Sequence, residues 1–396
     1  MRIFTTLVLA AFVAAGSGCT RSNKTPAGQN APAAQRTPTV SVAGGDEATE
    51  APQRAQPPSV ALAARPDAAA WATSAVDDRS FGAPTEIANL AVYPVTSRTQ
   101  VDVGPLLALD AALEAGAAEV REREGGGSVN QLIIENKGKV PLFVLAGTVV
   151  KGGNQDRQIG QDFIIEGQKT TPVDAFCVEH GRWNGQRNGQ ATNAQFKASD
   201  AVATSKVRAA GQYKKSQSEV WSNVSSTNAA HNKAPASDTL LATIDDAEIA
   251  RERTAIAAQV DGALARVNPQ GDLVGIAYAI DGRVRGARWF SHNKVFELAR
   301  KKIIAGIALD AVTARAEARA AGRPLSTTPA PPASAVDAFV KAVEAAAVAE
   351  KRNTAGGNVN EYQESGQGYG SRTMMKGGST SPGKPTKPVS VDVLSK

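Results

Sequence analysis

Between Ala118 and Val178 the chain repeats one pattern that leaves few folds open. Short aliphatic runs at Ala118–Glu124, Gln131–Asn136, Leu142–Val150, Gln161–Ile165 and Pro172–Val178 are joined by Gly-rich or Asn-Lys-Gly connections, each shorter than a dozen residues. A parallel pair needs a crossover of a dozen residues or more, whereas an antiparallel pair can be closed by a tight turn. The spacing therefore predicts an antiparallel β-meander. A further strand is expected upstream at Glu86–Val95, where aliphatic residues alternate with polar ones, and a short helix at Leu106–Ala115 with Gly116 as its stop.

The second half changes period. Ile249, Ile256, Val260 and Leu264 recur along one side of a helix expected over Leu240–Val267, and Asp245 and Asp246 suit its positive end. Leu273–Ile280 and Val284–Phe290 flank Asp281-Gly282, a hairpin signature. Ser291 is placed to cap a helix carrying Phe296, Ala299, Ile303 and Ile307 on one face, and a last helix is expected over Ala335–Val348, followed by short strands. The fold class is α+β, an antiparallel β-meander packed with several helices, between an N-terminal tether and a flexible C-terminal tail.

The N-terminus reads as an address. Arg2, the apolar run Ile3–Ala15 and the small residues Gly16, Ser17 and Gly18 form a signal peptide pattern, too short to span a bilayer stably. Cys19 follows where lipoproteins carry their acylated cysteine, so residues 1–19 imply an extracytoplasmic protein whose partner is a membrane, reached through an N-terminal lipid. Thr20 favours an outer membrane if the envelope is Gram-negative. Ordinary secretion with cleavage nearby is the alternative. With Cys19 lipidated, Cys177 has no intramolecular partner, and stability must come from a packed core. Residues 20–79, rich in Pro, Ala and Thr, read as a disordered tether.

The folded part is expected over 80–320, with 187–235 a mobile polar excursion containing one helix around Val220 and Val224. Residues 321–376 are expected to hold a helix and short strands, and 377–396 a flexible tail. A net charge of +6 spread along 396 residues gives no nucleic-acid footprint.

Chemistry-bearing residues gather in two stretches. In Cys177–Trp183, CVEHGRW, only four residues separate Cys177 from Arg182, one fewer than a cysteine-phosphatase loop requires, and Cys177 ends an apolar strand, where a thiol is commonly a small hydrophobe. Cys177 and Glu179 share a strand face that His180 does not, and three histidines in all make a metal cage improbable. Arg182 can bind phosphate or carboxylate and Trp183 can stack on a base or sugar; the competing reading is a structural clasp at the end of the sheet. In 151-KGGNQDRQIGQDF-163 the glycines permit a bend, and Gln155 and Arg157 supply polar groups beside it. GQGYGS at Gly366–Ser371 lacks the dinucleotide fingerprint and reads as a flexible turn, so no cofactor is expected.

Two blocks, Gly127–Gly185 and Gly275–Val312, resemble the ADP-ribosylglycohydrolase and rhodanese-phosphatase-associated protein family, and SQSEVW at Ser216–Trp221 lies between them as a similar segment does there. The resemblance spans residues 80–320. It implies a role near ADP-ribose-like or phosphorylated ligands and transfers no catalytic residue. The leading expectation is a ligand-binding or interaction module with Gln155, Arg157, Glu179, Arg182 and Trp183 at its site, taking a nucleotide- or phosphate-containing ligand or an envelope protein. The alternatives are a hydrolase acting on such a ligand, with Arg157, Glu179 and Arg182 converging, and a structural envelope protein.

Overall fold

Asp281 and Gly282 both adopt positive φ, 52° and 72°, the backbone that a two-residue hairpin turn demands and that glycine tolerates without strain. They join strands Leu273–Ile280 and Arg283–Phe290, the expected hairpin. In the computed structural model, which describes residues 78–123, 130–187, 190–192, 196–267, 271–376 and 387–396, this hairpin lies inside a nine-stranded antiparallel sheet. Leu90–Thr96 pairs with one side of it and Lys387–Ser395 with the other. Beyond the latter come Gly368–Met375, Asn358–Glu364 and Val348–Asn353.

One face of this sheet buries Tyr93, Val95, Trp289, Val391 and Val393 against Val336, Val340 and Val343 of the helix Ala333–Glu344. The other buries Val92, Ile276, Ile280 and Phe290 against the long helix Asn293–Ala320 and its neighbours, where Phe296, Ala299, Ile303 and Ile307 point inward as their spacing predicts. Burying apolar surface at about 25 cal/mol per Å² is the main favourable term for such layers.

The strands between Ala118 and Cys177 form two further sheets. A six-stranded antiparallel sheet runs in the order Lys197–Val202, Thr148–Lys151, Arg157–Ile159, Thr170–Cys177, Gln131–Asn136, Ala118–Glu122. A three-stranded one joins Phe163–Ile165, Leu142–Val144 and Leu107–Ala108, the last pair parallel. The strands are thus largely antiparallel as expected, but their order is not a simple meander. The reason lies at Gly147, whose φ of 82° breaks the apolar run Leu142–Val150 so that its halves enter different sheets.

Other boundaries move for equally local reasons. Glu86–Val95 is two strands, Thr85–Ile87 and Leu90–Thr96, folded back at Ala88 with φ of 55°. The helix expected over Leu106–Ala115 is Leu109–Glu114, stopped near Gly116 at φ of 66°. Leu240–Val267 is split into Leu241–Ile244 and Ala247–Arg266, because the Asp246 side chain accepts from the backbone N–H groups of Glu248 and Ile249 and starts a new helix. His292 rather than Ser291 caps the following helix, its Nδ1 accepting from Lys294 N.

Two larger differences change the organisation. Segment 187–235, polar by composition, contributes the strand Lys197–Val202 and the helices Ser205–Gln212 and Gln217–Ala230, with Val207, Val220 and Val224 buried in the core. Its polarity is interior: Asn228 donates to Asp238 and to the Thr239 carbonyl and accepts from Thr243. The C-terminal residues, a tail by composition, end in the strand Lys387–Ser395, set between the central hairpin and Gly368–Met375. No helix among the described residues is long and apolar enough to cross a membrane. Cys19 and the tether lie outside the described residues.

Candidate functional site

Gly152 and Gly153, with φ of 146° and 49°, turn the chain after Thr148–Lys151, and a side chain at Gly153 would run into the Phe196 ring. The chain then re-enters the sheet as Arg157–Ile159, a strand that the polar sequence NQDRQ conceals. Arg157 stands opposite Cys177 in register, so the bend at 152–156 and the turn after Cys177 lie side by side. This brings together all five residues singled out in the sequence.

They do not form an open set of ligand groups. Arg182 Nη2 donates to Glu179 Oε2 at 2.7 Å and lies 3.8 Å from Asp156 Oδ1, while Nη1 donates to the carbonyls of Gly153 and Asn184, both at 2.7 Å. Glu179 also accepts from Ser237 Oγ at 2.7 Å and from the Asp156 backbone N–H at 3.1 Å. Asp156 accepts from Thr239 Oγ1 at 2.9 Å and from Gly152 N at 3.1 Å. All three charged side chains are buried. Burial works to raise the Glu179 pKa, but the hydrogen bonds from Arg182, Ser237 and Asp156 N outweigh it and hold the carboxyl below its ordinary range.

Arg157 is fully buried one residue along. Its Nη1 donates to Gln155 Oε1 at 3.3 Å, its Nη2 lies 3.7 Å from Glu122 Oε1, and its guanidinium sits 5.5 Å from the centre of the Trp183 ring. Gln155, also buried, donates to the His180 carbonyl at 3.4 Å. His180 is exposed and packs edgewise on Trp221, ring centres 4.3 Å apart. Among the five, only Trp183 reaches solvent, at 47% exposure. The Cys177 thiol is buried and pushed up to about 11 by desolvation, which leaves it protonated and unreactive at neutral pH.

A second polar cluster lies deeper and leaves no local sequence signal. Asp162, at the end of 151–163, accepts from Arg288 Nη2 at 2.5 Å, Ala146 N at 2.7 Å and Ser390 Oγ at 2.6 Å. Asp392 pairs with Arg208 at 3.4 Å and accepts from Tyr213 at 3.0 Å and Gln212 at 3.3 Å. Asp310 accepts from Ser205 N at 2.8 Å and Tyr278 at 3.2 Å, and desolvation raises its pKa. Between Arg208, Arg288, Tyr278, Asp310 and Asp392 is a cavity of about 20 Å³, the size of one water. Partners 126 and 184 residues apart make these pairs invisible to spacing rules. No group of three or more His, Cys, Asp or Glu among the described residues is arranged to hold a metal.

The family model described as ARG and Rhodanese-Phosphatase-superfamily-associated Protein domain matches residues 78–380, more than half of the chain. The chain belongs to that family. The match begins close to the expected boundary at residue 80 and runs well past 320, in keeping with a sheet that includes the C-terminal strands. No curated protein and no solved structure matches the chain.

Proposed function

We propose that the protein is an extracytoplasmic, lipid-anchored binding module that presents Trp183 to a ligand carrying a base or sugar ring, of the nucleotide or sugar-phosphate class. The observation that carries this reading is the contrast between Trp183, 47% exposed, and the buried ion-pair cluster that immobilises the turn bearing it. An exposed indole held on a rigid turn offers a large flat face for stacking that is already oriented before a ligand arrives. The buried Arg157 guanidinium lies over the ring and fixes its tilt.

The hydrolase alternative asks Glu179 to exchange protons. Its carboxylate is engaged on both oxygens and held below the ordinary range, which supports a positioning role instead. A thermal-shift screen of the soluble domain with nucleotides, ADP-ribose and sugar phosphates tests the reading. A ligand at 100 times its Kd adds about 2.7 kcal/mol of stability, and Trp183→Ala is expected to abolish that shift while changing the ligand-free stability by only about 0.5 kcal/mol. Silence across the whole panel would leave the structural envelope role instead. For the anchor, the intact mass of the mature N-terminus decides: Cys19 without acyl mass refutes it.

A further inference from the structure

The strand Lys387–Ser395 differs from every other strand of the nine-stranded sheet in one respect: it lies beyond residue 380, where the family match ends, yet it occupies an interior position. On one side it pairs with Arg283–Phe290, Trp289 opposite Val391; on the other with Gly368–Met375, Arg372 opposite Val391. Without it the sheet would fall into two unconnected groups, the hairpin with Leu90–Thr96 and the three strands from 348 to 375.

Its two faces are read differently. Val391 and Val393 enter the apolar layer with Trp289, Val336 and Val340, and both are fully buried. On the opposite face Ser390 donates to Asp162, and Asp392 meets Arg208, Gln212 and Tyr213. Val391 and Val393 on one face, Ser390 and Asp392 on the other, and Val389 packed in the second core layer beside a register irregularity are therefore recognised by side chains as well as by two ladders of backbone hydrogen bonds. That is how strand-addition sites recognise peptides.

The connection is longer than pairing requires. Met375 and Lys387 are register partners, which a tight turn could join, yet residues 376–386 intervene. The pairing of the strand is thus carried by its own ladders and side-chain contacts rather than by a tight turn.

We propose that the groove between Arg283–Phe290 and Gly368–Met375 is a peptide-binding slot, occupied in cis by the chain's own C-terminal strand. Its ligand class is an extended peptide of the pattern Val-Ser-Val-Asp-Val, as in residues 389–393. This stands independently of Trp183 and its ligand.

The test uses the full chain, folded first, with a protease site substituted within 378–385 and then cut. The nicked protein is expected to stay folded with the 387–396 fragment bound, and its melting temperature is expected to fall by a few degrees for each tenfold dilution, as a bimolecular complex requires. A fluorescent peptide of residues 387–396 exchanges into it at one per chain, and the same peptide with Asp392→Ala incorporates at least about tenfold more weakly, since it leaves Arg208 buried and unpaired. Three outcomes overturn the proposal: a melting temperature insensitive to dilution with no exchange, loss of the fragment from a domain that melts unchanged, or unfolding on cleavage that excess peptide does not reverse.

Discussion

Arg288 on the central hairpin reaches Asp162, 126 residues earlier in the chain, and donates to its carboxylate at 2.5 Å with both side chains buried. Removing either partner strands the other charge away from water. Asp162→Ala and Arg288→Ala are each expected to cost about 3–5 kcal/mol, and the double variant less than the sum, because the second change removes the stranded charge. Urea unfolding midpoints of the four proteins measure this, and additive losses would show that the two residues do not act as a pair.

Adjacent residues on one turn should behave in opposite ways. Arg182 is buried with two carboxylates and several carbonyls, so Arg182→Ala is expected to lower stability by about 3 kcal/mol or more. Trp183→Ala, at an exposed position, should change it by only about 0.5 kcal/mol. Equal losses on thermal melting would mean that the indole serves the fold rather than a ligand.

Acid should act through Glu179. Its folded pKa is depressed below the unfolded value of about 4.3, so the unfolded state takes up a proton first as pH falls. The carboxylate's stabilising contribution is complete above the unfolded pKa and disappears as pH drops through the folded one. Glu179→Gln should be less stable at pH 7 and should show a shallower loss below pH of about 4.5. Parallel stability–pH curves for the two proteins would assign the acid sensitivity elsewhere.

Cys177 should be silent until the protein opens. With its thiol buried and shifted to about 11, alkylation by iodoacetamide at pH 7.5 is expected to track global unfolding, rising across the denaturant transition. Labelling of Cys177 in the native protein, read by peptide mass, would contradict the burial.

How much of this the sequence disclosed depended on how local each feature is. The Asp281-Gly282 hairpin and the inward stripe Phe296, Ala299, Ile303, Ile307 were legible because a turn's φ requirement and a helix's period are written within a few residues. That Gln155, Arg157, Glu179, Arg182 and Trp183 stand out in two polar stretches was legible, whereas their meeting was not, since it depends on the pairing of Arg157 with Cys177, nor was their burial, since it depends on Ser237, Thr239 and Glu122 arriving from elsewhere. Composition misled where polar side chains are internal: Asn228, Gln212 and Asp392 are core residues because each finds hydrogen-bond partners there. Lys387–Ser395 was concealed by the Gly/Ser/Pro/Lys-rich residues just before it.

That last strand also sets a clock. A chain is made from its N-terminus at roughly 5–20 residues per second, and the piece that joins the two halves of the largest sheet emerges after every strand it joins. Until it emerges, Arg283–Phe290 and Gly368–Met375 keep bare edges, the surfaces on which chains aggregate. The largest sheet can therefore close only once Ser395 is free to pair, however early its other strands have formed.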